Sequence, residues 1–287
     1  MMTKQLELEK WQESSLEALR GMSFARSCVQ DVTVIAYYFR PDNEYNRFFW
    51  RTEFAFLKTF QTQGLMPAVL IVNKRNMEVE HFCDKHSISI QVAENLVPGN
   101  SRTLAIDLVR NLHERFETPY VLTIQDDGFP MRPGLEEFVG KWDYIGAPWV
   151  RHVTWYDLYP SRYQVGNGGF SLRSKRLCET ASRIYRKWFG HIPYWWYILG
   201  DDIFYCKTLR FWFRNAVKDM KWATLEEASH FSIEGNEEFI PPEPPLGFHA
   251  NGFLNYREMF DFDFRSYCSV KAAFYQESIV RSLNKGA

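Results

Sequence analysis

Four short apolar runs alternate with three amphipathic stretches between residues 31 and 124, and this alternation narrows the possible folds more than any other feature. Asp31-Val-Thr-Val-Ile-Ala-Tyr-Tyr-Phe39, residues 67–72, residues 88–92 and Val121-Leu-Thr-Ile124 have the length and β-branched content of strands. Residues 47–63, 79–86 and 102–116 read as helices, the last with Leu104, Leu108 and Leu112 on one side. The first run is apolar without interruption, as expected of a strand covered on both faces. A β-α-β-α-β-α-β order of this kind predicts an α/β domain on a mostly parallel sheet. An amphipathic helix over residues 6–26 precedes the pattern and is expected to pack on the domain or on a partner.

In open α/β sheets, ligands bind beyond the carboxyl ends of the strands. The central run ends in Gln125-Asp-Asp-Gly-Phe-Pro130, which places two adjacent carboxylates at that edge. They repel each other unless a cation or a solvated turn relieves them. A hard divalent cation, held by one or two carboxylates and completed by substrate phosphates, fits such a place. A solvated Asp-Gly turn that merely caps the strand is the other reading. No GxGxxG and no P-loop follows the first strand, which disfavours a nicotinamide enzyme or an ATPase.

Further along come Trp142-Asp-Tyr-Ile-Gly-Ala-Pro-Trp149 and Val165-Gly-Asn-Gly-Gly-Phe-Ser-Leu-Arg173. A short strand is expected in the first string and another at residues 170–172, with a helix at 174–188. Three glycines in four positions let a backbone pass close to another group. Gly200-Asp-Asp-Ile-Phe204 then sets a second acidic pair at the start of a helix expected over 202–213. Helix capping is the plain explanation of that pair. After the rigid stretch Pro241-Pro-Glu-Pro-Pro245 comes Gly247-Phe-His249, whose lone histidine is ordinarily a structural residue.

The 34 basic and 35 acidic residues leave a net charge of −1, so general electrostatics favour neither nucleic acid nor an anionic membrane. Five widely spaced cysteines without a CxxC pair indicate neither a zinc knuckle nor a disulfide framework; reduced thiols in a cytosolic setting are expected. Residues 1–13 lack the apolar core of a signal peptide, and no window is long enough to span a bilayer. A cytoplasmic location follows as an expectation, compatible with peripheral association at the inner face of a membrane.

Taken together, Gln125-Asp126-Asp127, the Trp142–Trp149 string, the Val165–Arg173 string, Gly200-Asp-Asp-Ile-Phe204 and Gly247-Phe-His249 resemble the DUF5672 family, which looks like a divergent GT-A glycosyltransferase domain. The resemblance covers roughly residues 31–250 and is more distant to Fringe-type and β1,3-galactosyltransferase-type enzymes. It implies a single GT-A-like α/β domain with a mixed, mostly parallel sheet flanked by helices. The helical extension would be residues 1–30 and the domain 31–255, with a nucleotide-sugar half at 31–130 and an acceptor half at 131–255. Residues 256–287 would form a helical tail.

The same resemblance implies roles for individual residues. Asp127 matches the last, metal-binding Asp of the Asp-x-Asp motif, whose first Asp is replaced here by Gln125; Asp126, between them, is expected to help hold the metal, directly or through water. His249 matches the late histidine that completes the metal site. Asp202, preceded by Asp201, matches the general base. Gly166, Asn167, Gly168 and Gly169 fall on the segment lining donor sugar and acceptor. Trp149, Trp195 and Trp196 are candidates for stacking on sugar faces, with core packing the alternative, and Asn73 and Arg102 lie near the expected nucleotide pocket. The cofactor implied is Mn²⁺ or Mg²⁺. The donor implied is a nucleotide sugar, UDP-sugar favoured, and the acceptor a glycan or lipid-linked hydroxyl, as in polysaccharide biosynthesis. A binding module that holds the donor without transferring it, and a metal-dependent nucleotidyltransferase or phosphohydrolase, are the competing readings.

Overall fold

The computed structural model describes residues 2–149, 164–190, 200–234, 241 and 243–249. Helix α1 (Met2–Arg20) is followed by β1 (Val32–Tyr38), α2 (Tyr45–Gln63), β2 (Ala68–Val72), α3 (Met77–His86), β3 (Ser89–Val92), α4 (Ser101–Arg110) and β4 (Tyr120–Ile124). The four strands are parallel, in the order β3-β2-β1-β4. Beyond β4 the sheet continues with β7 (Ser171–Ser174), antiparallel to β4, and β6 (Tyr144–Ile145), antiparallel to β7. The parallel part is what the apolar runs predict, and the whole is the mixed, mostly parallel sheet flanked by helices that the family resemblance implies.

Alternate residues of each strand enter opposite cores. Val34, Ala36, Leu70, Val72, Leu122 and Ile124 pack on the α2 side with Phe49, Phe56 and Phe82. Ile35, Val69, Ile71 and Val121 pack on the other side with Leu108 of α4 and with Leu177 and Ala181 of α5 (Lys175–Trp188). Ser174 starts α5, its hydroxyl accepting from the Leu177 N–H. Helix α1 lies on α2. It buries Leu16 and Leu19 and sets Trp11 edge-on to Phe54 at 5.2 Å between centroids.

Three features depart from the sequence expectation. The stretch expected as one helix over 202–213 is α6 (Asp201–Ile203), a π-helical turn (Phe204–Thr208) and α7 (Leu209–Trp212). All five residues of the π turn are buried. The helix expected over 102–116 is α4 followed by a separate 3₁₀ turn, Leu112–Glu114. A second, three-stranded sheet joins β5 (Gly128–Pro130), β9 (Gly247–His249) and β8 (Ser232–Ile233), the last emerging from α8 (Leu225–Phe231). Strands of two and three residues are too short to carry a period. They matter because β5 pairs antiparallel with β9, setting Gly128 opposite His249.

Cys28, Cys83, Cys178 and Cys206 are free thiols. Among the described residues no helix is long and apolar enough to cross a membrane. Trp195, Trp196, Cys268 and the tail expected at 256–287 lie outside the described residues.

Candidate active site

Strand β4 runs into a tight turn closed by two backbone bonds, Gln125 N–H to Gly128 O at 2.8 Å and Gly128 N–H to Gln125 O at 3.1 Å. The turn sends its two carboxylates to different partners. Asp126 lies 3.3 Å from Arg51 of α2 and 3.6 Å from Arg40, just past β1. Its backbone carbonyl accepts from the Gln12 amide of α1 at 2.7 Å. Burial and the neighbouring Asp127 push the Asp126 carboxyl up from the usual range, against the pull of both guanidiniums. Asp127 faces the other way, its Oδ1 3.7 Å from His249 Nε2.

His249 sits among acceptors. Its Nδ1 lies 3.1 Å from Glu234 Oε1 and 3.0 Å from the Asn167 amide nitrogen, and its Nε2 lies 3.0 Å from Gln125 Oε1; the protonated ring donates to Glu234 and Gln125. Burial works to lower its pKa, but the bond to Glu234 and the charge of Asp127 outweigh it and raise the imidazole to about 9. Among the described residues no three His, Cys, Asp or Glu side chains form a metal-binding group. Two such ligands and an amide oxygen do converge: Asp127, His249 and Gln125. The Asp127–His249 gap is too wide for a hydrogen bond but fits two bonds of about 2.0–2.2 Å to a shared ion. Glu234 on the far ring nitrogen would fix the ring and leave Nε2 to the ion, the usual outer support of a metal-bound histidine. The residues fit a divalent cation, provided His249 gives up a proton.

The glycine-rich loop joins this half of the site to the other. A Cβ on Gly169 would overlap the His249 ring, and one on Gly168 would overlap the Asp201 carboxylate. Both positions are glycine because side chains of the two acidic regions reach the backbone from either side. Asn167 between Gly166 and Gly168 is left-handed at φ 64°, which asparagine tolerates, and its Oδ1 accepts from the Gly169 N–H at 2.9 Å.

The second acidic pair repeats the division of the first. Asp201 is bound to Arg173 at 2.6 Å. Asp202 has no cationic partner among the described residues, its Oδ1 accepting only from the Ile203 N–H at 2.8 Å. Burial, then the charges of Asp201 and Glu234, raise its carboxyl to about 7. In each pair one carboxylate is held by arginine and the other is left without one. Between the ends of β1 and β4 and the start of α4 lies a cavity of about 300 Å³, lined by Tyr37, Arg40, Asn100, Gln125, Asp126 and Gly168 among others.

A family model described as a protein of unknown function, DUF5672, matches residues 90–249. The chain belongs to that family. No curated protein matches it in sequence. Among solved structures, apo mouse xyloside xylosyltransferase 1 is similar with a TM-score of 0.49 at 11% identity, over 77% of this chain and 97% of that one. An active-site mutant of LgtC is similar with a TM-score of 0.48 at 11% identity, over 77% of this chain and 87% of that one.

Within the DUF5672 protein, Asp127, His249, Gly166, Asn167, Gly168, Gly169, Asp201 and Asp202 come together around one loop. Asp126 adjoins them on the cavity side. Trp149 is buried, with its indole against Gly166 and Lys207. Asn73 follows β2 and donates to the Arg40 carbonyl at 3.4 Å, while Arg102 is exposed in the first turn of α4. Five residues escaped the sequence reading: Glu234 behind His249, Arg173 behind Asp201, and Gln12, Arg40 and Arg51 behind Asp126. The Arg173 string was legible as a motif, but nothing local marks its guanidinium; Glu234, Gln12, Arg40 and Arg51 have no signal at all.

Proposed function

We propose that this DUF5672 protein is a metal-dependent, inverting glycosyltransferase that moves a sugar from a nucleotide sugar, UDP-linked by preference, to a glycan or lipid-linked hydroxyl. The observation that carries this reading is the convergence around one glycine loop of a cation-compatible pair, Asp127 with His249, and of the second acidic pair, in which Asp201 abuts Gly168 and the half-buried Asp202 carboxyl beside it is raised to about 7. A carboxylate poised near neutral pH suits proton abstraction, which is worth on the order of 10²–10⁴-fold. The acceptor oxygen bonds to the anomeric carbon as the bond to the diphosphate breaks, and the hydroxyl proton passes to Asp202. Attack from the face opposite the leaving group inverts the anomeric centre.

Asp127 and His249 are the residues that would hold the ion, with Gln125 beside them. An ion bound there supplies Lewis-acid stabilisation of the departing diphosphate. The imidazole favours Mn²⁺ over Mg²⁺, which prefers oxygen ligands. The cavity beside Asp126 and Arg40 would take the nucleotide, with residues 31–130 as the donor half and 131–255 as the acceptor half. Cytoplasmic work on a membrane-borne or soluble glycan fits this assignment.

The test is product analysis with UDP-sugars, Mn²⁺ and a panel of glycan acceptors. A nucleoside diphosphate and an inverted glycoside are expected; a nucleoside monophosphate would instead mark a phosphohydrolase or nucleotidyltransferase. Asp202→Asn should abolish transfer and keep donor binding, whereas Asp127→Ala should weaken metal-dependent donor binding. The amide of Gln125 in place of an acid favours a second reading, a module that binds the donor without transfer; binding without turnover on every acceptor would establish it.

A further inference from the structure

Arg173 is fully buried on β7, and its guanidinium reaches three separate pieces of the site. Nη2 donates to Asp201 Oδ2 at 2.6 Å and to the Gly168 carbonyl at 3.3 Å, and Nε donates to Ser171 Oγ at 3.1 Å. The Gly168 carbonyl also accepts from Thr123 of β4 at 3.0 Å. The guanidinium carbon lies 4.7 Å from the Tyr205 ring centroid and 5.4 Å from that of Tyr144. Tyr144 in turn donates to the Asn167 carbonyl at 3.0 Å. Nη1 is buried without a hydrogen-bond partner among the described residues.

An ion buried this deeply is a poor device for stability, since well-packed apolar residues often serve as well or better. It is a good device for geometry. The planar fork fixes direction as well as charge, which a lysine cannot do. We propose that Arg173 is a positioning residue that locks Asp201 and the glycine loop into one frame and thereby sets where Asp202 stands. The inference rests on Asp202 acting as the base. Among the described residues the hydrogen-bond partners of Arg173 are Asp201, Gly168 and Ser171, not Asp202. Its effect passes through Asp201, the next residue in the chain, and through Gly168.

The test compares Arg173→Met, Arg173→Lys, Asp201→Asn and the Arg173→Met/Asp201→Asn double variant in the full chain. A misplacement of about 1 Å costs about 10²-fold in rate. Arg173→Met and Asp201→Asn should each lower kcat by about that factor with the donor KM unchanged, and the double variant should be no slower than the slower single, because both remove one contact. Arg173→Lys should recover part of the loss. Donor KM rising in step with the fall in kcat, full activity in Arg173→Met, or losses that multiply in the double variant would overturn the inference.

A second readout separates positioning from general loosening. The charged groups facing Asp202 are Asp201, Glu234, Arg173 and His249, with Cys206 and Tyr144 held neutral by burial. Removing the Arg173 charge should move the Asp202 titration up, and removing the Asp201 charge should move it down; a loosened fold predicts no such opposition. Carbon-13 NMR of the aspartates reads this without turnover. If the wild-type chain transfers no sugar, the proposed function fails by itself, and the titrations still decide: unmoved, or moved in one direction by both variants, they refute the role of Arg173. If Arg173→Met does not fold, Arg173→Lys and Asp201→Asn carry the same comparison.

Discussion

At the scale of the residue, Asp202 is stable only at a cost that depends on pH. Its carboxyl titrates near 3.8 in an unfolded chain and at about 7 in the fold. Below the first value it is neutral in both states and costs nothing. Between the two values the unfolded chain is already ionised while the folded carboxyl keeps its proton, so stability falls as pH rises from the first to the second, and above the second the full cost of the charge in the fold is present. Asp202→Asn removes that cost, so it should raise Tm above wild type at about pH 8, with a gain that shrinks on acidification and vanishes near the unfolded value of 3.8. Thermal denaturation of both proteins across pH checks this; a gain independent of pH would contradict the raised pKa. One substitution would thus stabilise the protein and silence it, a pattern expected of functional rather than structural residues.

At the scale of the element, the glycine loop and α1 make different demands. Gly169→Ala puts a methyl where the His249 ring stands. Because the ring is fixed by Glu234, it cannot simply turn away, and metal-dependent donor binding should fall far more than Tm does. Calorimetric titration of Mn²⁺ and UDP against the variant reads the first, and a melting curve the second. Helix α1 lies before the stretch matched by the family, yet Gln12 from its buried face holds the Asp126 carbonyl. Gln12→Ala takes the side-chain donor from that part-buried acceptor, at a cost of up to about 1–3 kcal/mol, and frees the acidic turn. Denaturant unfolding should show the loss, and donor affinity should drop with it. If affinity stays at the wild-type level, α1 is packing alone.

At the scale of the whole molecule, the site lies at the carboxyl edge of β1 and β4 where α1, the main sheet and the small sheet meet. Anything bound there and not to the unfolded chain stabilises the fold as a unit. A ligand at roughly 100 times its Kd adds about 2.7 kcal/mol. Melting curves with nucleoside diphosphates and nucleotide sugars should therefore show a rise for one nucleotide that requires Mn²⁺ and is absent in Asp127→Ala. A metal-independent rise would place the nucleotide elsewhere, and no rise with any nucleotide would remove the donor from the proposal.

The sequence by itself determined the layered α/β architecture, because strands covered on both faces must be apolar throughout and their covering helices must be amphipathic. Residues 31–124 carry that pattern, and β1 to β4 with α2 and α3 lie within a few residues of where it puts them, while α4 starts where expected and gives way to a 3₁₀ turn before its expected end. It also marked both acidic pairs, the glycine loop and His249 as unusual, since each breaks the local pattern. Only the tertiary structure decided which member of each pair is free. Asp126 and Asp127 are alike in sequence, but a tight turn aims neighbours in opposite directions, and one meets Arg40 and Arg51 while the other meets His249. Asp201 and Asp202 are separated in the same way by Arg173. Those arginines, together with Gln12 and Glu234, come from elements far apart in the chain. Charge pairing is settled by distance in space, and a one-dimensional pattern holds no record of it.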